Sequence, residues 1–262
     1  MVDIHCHVLP GLDDGAPDID TSIEMARVAA ADGVETIVAT PHVREDHPYP
    51  LDEIEIRTRV LNERLEEAQV PVRIVPGAEV ALSKAVELDD AELGRLCLGS
   101  ADWLLVESPY THATDLLEQD LFNLQVRGFR LVLAHPERSP SFAADLGRLE
   151  RLAERGILCS VTAGSLEGRF GRRVRRTAVE MLRAGLVHDV ASDAHDAERR
   201  SPVLSAGLSS LEGELPRLAA IRDWLVRDVP GALLTGATPP PQPARLSRKR
   251  GPLGGLLAKL RG

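Results

Sequence analysis

The chain has 262 residues, 44% hydrophobic and 27% charged, with a formal net charge of −9. Such values fit a folded chain with a sizeable core and exclude a disordered or fibrous one, and the acidic balance argues against a general nucleic-acid surface, which needs a basic face. The three cysteines, Cys6, Cys97 and Cys159, form no CxxC pair and no regular framework, so a reducing compartment fits best. No signal-peptide pattern opens the chain, and no apolar run approaches the roughly 18 residues of a membrane span, so a cytoplasmic location is expected.

Short β-branched runs alternate with longer amphipathic stretches, which is the pattern of successive βα units around a parallel sheet. In chain order, strands are predicted at 2–5, 36–40, 72–79, 103–107, 130–135, 158–162 and 187–192, and helices at 18–31, 51–69, 115–127, 143–155 and 172–184. Gly33, Gly128, Gly156 and Gly185 each follow a predicted helix, where a left-handed cap favours a residue without a β-carbon. Seven strands fall one short of a regular eight-stranded barrel, so the expected fold class is α/β, a distorted or incomplete barrel. Beyond residue 237 the composition changes. Pro239-Pro240-Pro241 opens a segment, 238–262, with six basic residues and no acidic one, which leaves the preceding part near −15. Two parts are therefore expected: a catalytic domain at 1–237 and a Pro-rich basic tail at 238–262. The tail reads as disordered and solvated, or as a weak contact with anionic lipid or an acidic partner through Leu256, Leu257 and Leu260.

His5 and His7 sit two apart at the end of the first predicted strand, so both imidazoles share a face with Cys6 on the other. The same period-two spacing recurs at Asp193 and His195 at the C-terminal end of the last strand, so these two side chains are also expected to share a face. Glu79, Glu107 and His135 end the third, fourth and fifth strands, His42 follows the second after Pro41, and Asp14 lies in the loop after the first. All nine ligand-type side chains thus fall where parallel barrels place their active sites. Four carboxylates at one barrel mouth need cations to offset their burial, and mixed nitrogen and oxygen donors without thiolate suit manganese, iron or zinc, with enough ligands for two or three ions. Clustered cations acidify bound water and clamp substrate oxygens, which fits hydrolysis of a phosphate monoester. Arg138 and Arg200 could present planar forks to the phosphoryl oxygens, and Gly164 and Ser165 could add donors at a helix start.

Other phosphate chemistries find no support. Six positions after the cysteines stand Leu12, Trp103 and Ser165, not the arginine of a cysteine-based phosphatase loop. Neither a GxGxxG nor a GxxxxGK[ST] loop is present, and there is no GxSxG elbow.

The chain resembles the polymerase-and-histidinol-phosphatase (PHP) superfamily, and within it the bacterial manganese-dependent protein-tyrosine phosphatases linked to capsule and exopolysaccharide synthesis. The motifs that carry the resemblance run over roughly residues 1–210: Asp3-Ile4-His5-Cys6-His7, Leu12-Asp13-Asp14-Gly15, Ala39-Thr40-Pro41-His42, Pro76-Gly77-Ala78-Glu79, Glu107, Ala134-His135-Pro136-Glu137-Arg138, Thr162-Ala163-Gly164-Ser165-Leu166 with Phe170-Gly171, and Ala191-Ser192-Asp193-Ala194-His195. The early Asp-Asp-Gly and the His-Pro-Glu-Arg run favour the tyrosine-phosphatase branch. The resemblance implies a distorted seven-stranded (βα) barrel of the PHP type with three metal ions in its mouth, manganese first and iron or zinc as alternatives. By motif, His5, His7, Glu79 and Asp193 would hold one ion, Glu79, Glu107 and His135 a second, and Asp14, His42 and His195 a third. A metal-held hydroxide would attack phosphorus directly, with Arg138 and Arg200 neutralising the phosphate. The implied partner is the phosphotyrosine-bearing tail of a membrane-associated tyrosine kinase that controls polysaccharide export, and a homo-oligomer is also compatible with the family. Where many relatives carry a tyrosine after the His-Pro-Glu-Arg run, this chain has Ser139.

Three alternatives stand beside that reading. One is a small-molecule phosphatase acting, for example, on histidinol phosphate. The second is an amidohydrolase-type deaminase or lactonase, whose histidine after strand six is here Thr162. The third is a metal-binding module without catalysis, against which the intact ligand and arginine positions speak.

Overall fold

The computed structural model describes residues 1–47, 50–108 and 116–241. The first residue of the helix expected at 115–127 and most of the predicted tail, 242–262, lie outside the described residues.

Among the described residues nine strands, all paired in parallel, form two sheets. The first sheet has β1 (Val2–Cys6), β2 (Thr36–Ala39) and β4 (Arg73–Pro76) in the order β1-β2-β4. The second runs β3 (His42–Val43), β5 (Glu79–Ala81), β6 (Trp103–Glu107), β7 (Arg130–Ala134), β8 (Leu158–Thr162) and β9 (Asp189–Ala191), each paired with the next. The two sheets are one distorted barrel. β3 prolongs β2 across Thr40-Pro41, and β5 prolongs β4 across Gly77-Ala78. The seam closes where the Asp193 N–H donates to the His5 carbonyl at 2.7 Å and the His7 N–H to the Ala194 carbonyl at 2.8 Å. Seven staves result, as the strand pattern predicts, two of them broken.

The breaks have local causes. Pro41 lacks the N–H that an uninterrupted ladder needs. At Gly77 a β-carbon would come within 2.8 Å of Val38 Cγ1 and 3.2 Å of Leu98 Cδ2, so the stave bends where only glycine fits. The strand expected at 72–79 is thus two strands, and Glu79 begins β5 instead of ending the earlier run.

Helices cover the outside of the barrel. These are α1 (Ile19–Ala31), α2 (Asp52–Glu67), α3 (Leu82–Glu87), α4 (Asp90–Leu96), α5 (Leu117–Val126), α6 (Pro140–Ala144), α7 (Leu146–Glu154), α8 (Ala163–Glu167), α9 (Arg172–Ala184), α10 (Ser205–Ser209) and α11 (Val229–Thr235). Asp18 caps α1 by accepting from the Thr21 N–H at 2.8 Å, and Asp89 and Glu92 form a reciprocal capping box on α4. The four predicted cap glycines all have positive φ, between 72° and 99°. The helix expected at 143–155 is broken at Asp145, which ends α6 and caps α7 through the Gly147 N–H at 2.9 Å. Because both faces of a parallel sheet are covered, its strands are apolar throughout: Ile4, Ile37, Leu104, Leu105, Leu131, Val132, Leu133, Val161 and Val190 are all fully buried. Among the described residues no helix is long and apolar enough to cross a membrane.

Candidate metal and phosphate site

The C-terminal ends of the staves bring all nine predicted ligand-type side chains into four overlapping groups. They are His7 with Asp14, His42 and His195; His5 with His7 and Asp193; His5 with Glu79 and His135; and His42 with Glu79 and Glu107. Seven of the nine are buried, Glu107 is partly buried and Asp14 is exposed.

Glu79 stands at the centre. Its Oε1 lies 2.7 Å from His135 Nε2, and its Oε2 lies 2.9 Å from His42 Nδ1, 3.2 Å from His5 Nε2 and 3.4 Å from His7 Nε2. Asp193 Oδ1 is 3.5 Å from both His5 Nε2 and His7 Nε2. Asp14 Oδ1 sits 3.5 Å from His42 Nε2 and 3.4 Å from His195 Nε2. Many of these separations exceed a normal hydrogen bond. They match the edges of a coordination polyhedron, since donors about 2.1 Å from one ion lie about 3.0 Å apart at right angles and about 3.4 Å apart in a tetrahedron.

The lone pairs give the same answer. His7 Nδ1 is 2.6 Å from Asp13 Oδ2, so it is the Nδ1–H that donates, and Nε2 is left as an acceptor. That acceptor points with His5 Nε2, 3.2 Å away, at the oxygens of Glu79 and Asp193. Acceptors converging in a buried space need a cation or extra protons between them. In the metal-free chain His7 is held well above its usual range, burial being outweighed by the hydrogen bonds its ring N–H groups donate to Asp13, Asp193 and Glu79. Glu79 and Asp193 are held well below theirs, burial again being outweighed, first by His5 in each case. For Glu107, burial and then the Glu79 charge push the carboxyl up. The donor set therefore fits divalent cations.

Two of the predicted ligand residues lie in the left-handed backbone region, His135 at φ 36° and Asp193 at φ 51°. Neither is a glycine, so each stores local strain that the surrounding contacts must hold. This corrects one expectation: Asp193 and His195 are brought together by that turn beyond β9, not by strand alternation, since β9 ends at Ala191.

The two predicted arginines converge on one atom. Arg138 Nη2 lies 2.5 Å and Arg200 Nη2 2.9 Å from Asp193 Oδ2, while Asp193 Oδ1 faces His5 and His7. Arg138 also donates to Thr162 Oγ1 at 2.7 Å, and its side chain is only 9% exposed, so it is no surface ion pair. Gly164 and Ser165 lie in the first turn of α8, as a helix start requires, and the Ser165 hydroxyl is engaged separately, donating to Glu137 Oε1 at 2.6 Å.

Other site residues escaped the sequence reading. Asp13 orients His7 and accepts from the His42 backbone N–H at 2.9 Å; a carboxylate beside a predicted ligand, able to take a histidine's second ring N–H, was the available signal. Asp3, two before His5, accepts from the Ser192 hydroxyl at 2.5 Å and its N–H at 3.0 Å, tying β1 to the strained turn. Arg44 reaches Glu107 at 3.5 Å, and Phe170 lies under Arg138; spacing along the chain signals neither contact.

Comparison with known proteins adds the following. The family model described as capsular polysaccharide synthesis, CpsB/CapC, matches residues 1–226. The tyrosine-protein phosphatase YwqE of Bacillus subtilis is 38% identical over 216 residues, covering 82% of this chain and 85% of that protein. The tyrosine-protein phosphatase CpsB of Streptococcus agalactiae serotype III is 26% identical over 78% of this chain and 87% of its own length. A chain from the crystal structures of B. subtilis YwqE and Streptococcus pneumoniae CpsB, described as unique metal-dependent tyrosine phosphatases, superposes with a TM-score of 0.82 at 36% identity, covering 94% of this chain and all of that one.

Proposed function

Because the chain belongs to the CpsB/CapC capsular polysaccharide synthesis family, we propose that it is a metal-dependent protein-tyrosine phosphatase, a phosphoric monoester hydrolase. The observation that carries this is the convergence of Arg138 and Arg200 on the Asp193 oxygen that faces away from His5 and His7. A phosphoryl group placed there meets guanidinium edges on one side and the ligand cluster on the other.

His5, His7, Glu79 and Asp193 would hold one ion, Glu79, Glu107 and His135 a second, and Asp14, His42 and His195 a third. The shared position of Glu79 in two of the side-chain groups supports this scheme, as does the grouping of Asp14, His42 and His195. Manganese suits the mixed donors, with iron or zinc as alternatives. When bound, such ions supply Lewis acidity toward phosphoryl oxygens and lower the pKa of water. The chain's own residues do the rest. Arg138 and Arg200 orient the phosphate and neutralise charge that grows on its oxygens. Asp13 fixes the ring of His7 through Nδ1. The thiols take no part, since burial pushes Cys97 and Cys159 up to about 12 and Cys6 well above its usual range. A phenol, with a pKa near 10, also leaves more readily than an aliphatic alcohol without a dedicated acid.

The physiological substrate under this reading is the phosphotyrosine-bearing tail of a membrane-associated tyrosine kinase, met in the cytoplasm. The capsular-synthesis family and the absence of a membrane-spanning helix among the described residues support it. Under this reading residues 1–237 are the catalytic domain, followed in the sequence by the basic segment 238–262.

The test is steady-state kinetics on a phosphotyrosine peptide and on histidinol phosphate, with metal quantitation on the same preparations. The peptide is expected to be the better substrate, and Arg138→Ala and Arg200→Ala each to lower turnover roughly 10²–10³-fold with metals retained. A preference for histidinol phosphate, or near wild-type rates in both variants, contradicts the proposal.

A further inference from the structure

The aromatic ring beneath the two arginines does not belong to the hydrophobic core. Phe170 is half-buried and, among the described residues, lies outside the apolar cluster. What it touches instead is charge. The guanidinium carbon of Arg138 is 3.7 Å from the ring centroid and that of Arg200 is 6.0 Å away, within the range of cation–π attraction.

The local chain is shaped to put the ring there. Gly168 and Gly171, with φ of 89° and 94°, bracket Arg169-Phe170. The turn is tied by Arg169 N–H to the Gly164 carbonyl and Gly171 N–H to the Gly168 carbonyl, both at 2.9 Å. Opposite, Gly164 leaves room: a β-carbon there would lie 3.4 Å from Phe170 Cε2 and 3.2 Å from Arg169 Cδ.

A guanidinium resting face-down on a ring keeps its in-plane N–H donors available, while its flexible stem loses the freedom to swing away. Those in-plane donors are the ones that reach Thr162 and Asp193 from Arg138, and Asp193 from Arg200. We propose that Phe170 is the positioning residue of the phosphate clamp, holding both arginine forks edge-on to the phosphoryl oxygens. This rests on the assignment of Arg138 and Arg200 as phosphate-facing groups.

The test compares Phe170→Tyr, Phe170→Leu and Phe170→Ala in the metal-loaded protein. It reads calorimetric affinity for inorganic phosphate, kcat and KM on a phosphotyrosine peptide, and metal content. Tyrosine keeps the π face and should stay within about twofold of the wild type. Leucine fills much of the volume but has no π face, and with alanine should weaken phosphate binding roughly five- to thirtyfold and lower kcat, with metal content unchanged. A leucine variant that binds phosphate like the wild type would show that packing alone suffices and overturn the proposal. So would metal loss in step with phosphate affinity. Phosphate binding needs no turnover, so a wild-type protein that binds phosphate but spares phosphotyrosine refutes the catalytic reading alone. A wild type without phosphate affinity overturns clamp and platform together.

Discussion

Replacing Asp13 by asparagine tests whether the residue behind His7 sets metal affinity. The Asp13 side chain is 1% exposed and makes three contacts: Oδ2 with His7 Nδ1 at 2.6 Å and the His42 N–H at 2.9 Å, and Oδ1 with the Gly15 N–H at 3.0 Å. Its carboxyl is lowered to about 2; burial opposes this and the hydrogen bond from His7 outweighs it. Asparagine has the same shape but one acceptor oxygen. If that oxygen faces His7 and His42, the amide N–H₂ opposes the Gly15 N–H; if flipped, it opposes the other two donors. One buried donor left unpaired costs about 1–3 kcal/mol, and the charge assistance to His7 is also lost. Expected is a roughly 10- to 100-fold weaker hold on divalent metal, in line with the usual effect of removing a ligand's orienting partner. Stripped protein is titrated in metal buffers, reading bound metal and peptide dephosphorylation together; excess metal should restore most activity. Affinity within about twofold of the wild type would refute the reasoning.

Gly15→Ala should be far more damaging than its size suggests, because the new β-carbon would lie 2.2 Å from the His7 carbonyl oxygen and 2.5 Å from His7 Cβ. Overpacking of this kind costs about 1–3 kcal/mol and here displaces His7, so both melting temperature and metal content should fall; Gly94→Ala, with nothing within 4 Å, is the control that should change neither adversely. His188 gives a pH signature away from the ligands. Burial lowers its imidazole to about 4, and its Nδ1 accepts from the Cys159 N–H at 3.1 Å. The folded state holds it neutral while the unfolded chain protonates near 6.5, so its contribution is complete above about 6.5 and is lost as pH falls toward 4, by up to about 3 kcal/mol. Urea unfolding across that window should show the loss in the wild type and a flatter profile in His188→Gln; equal slopes would refute it.

How much of this was legible in the sequence depends on what each feature rests on. β6 and β8 coincide with their predicted bounds because a short apolar run between helices has few other ways to fold. That the nine ligand-type side chains would converge was readable for a related reason, since the ends of parallel strands share one face of the barrel. The broken staves were not readable: Gly77 is visible as a glycine, but the Val38 and Leu98 contacts that demand it come from elsewhere in the chain. α3, α4, α10 and α11 were missed because each has only five to seven residues, too few for a helical period to show. Asp193 could be named but not its left-handed backbone, which depends on the Asp3–Ser192 tie across the seam. Phe170 was visible in a motif, yet its contact with Arg138 joins two separate loops and has no periodicity.

Under the proposed function the His, Asp and Glu side chains around Glu79 hold the divalent ions on which phosphotyrosine hydrolysis depends. Its most direct test is to strip the protein with a chelator, verify the metal content, and follow phosphate release from a phosphotyrosine peptide as manganese is returned. The stripped protein should show negligible activity and recover in step with bound metal, with Glu79→Gln failing to recover at the same metal concentration. Full activity in a verified metal-free sample would contradict it.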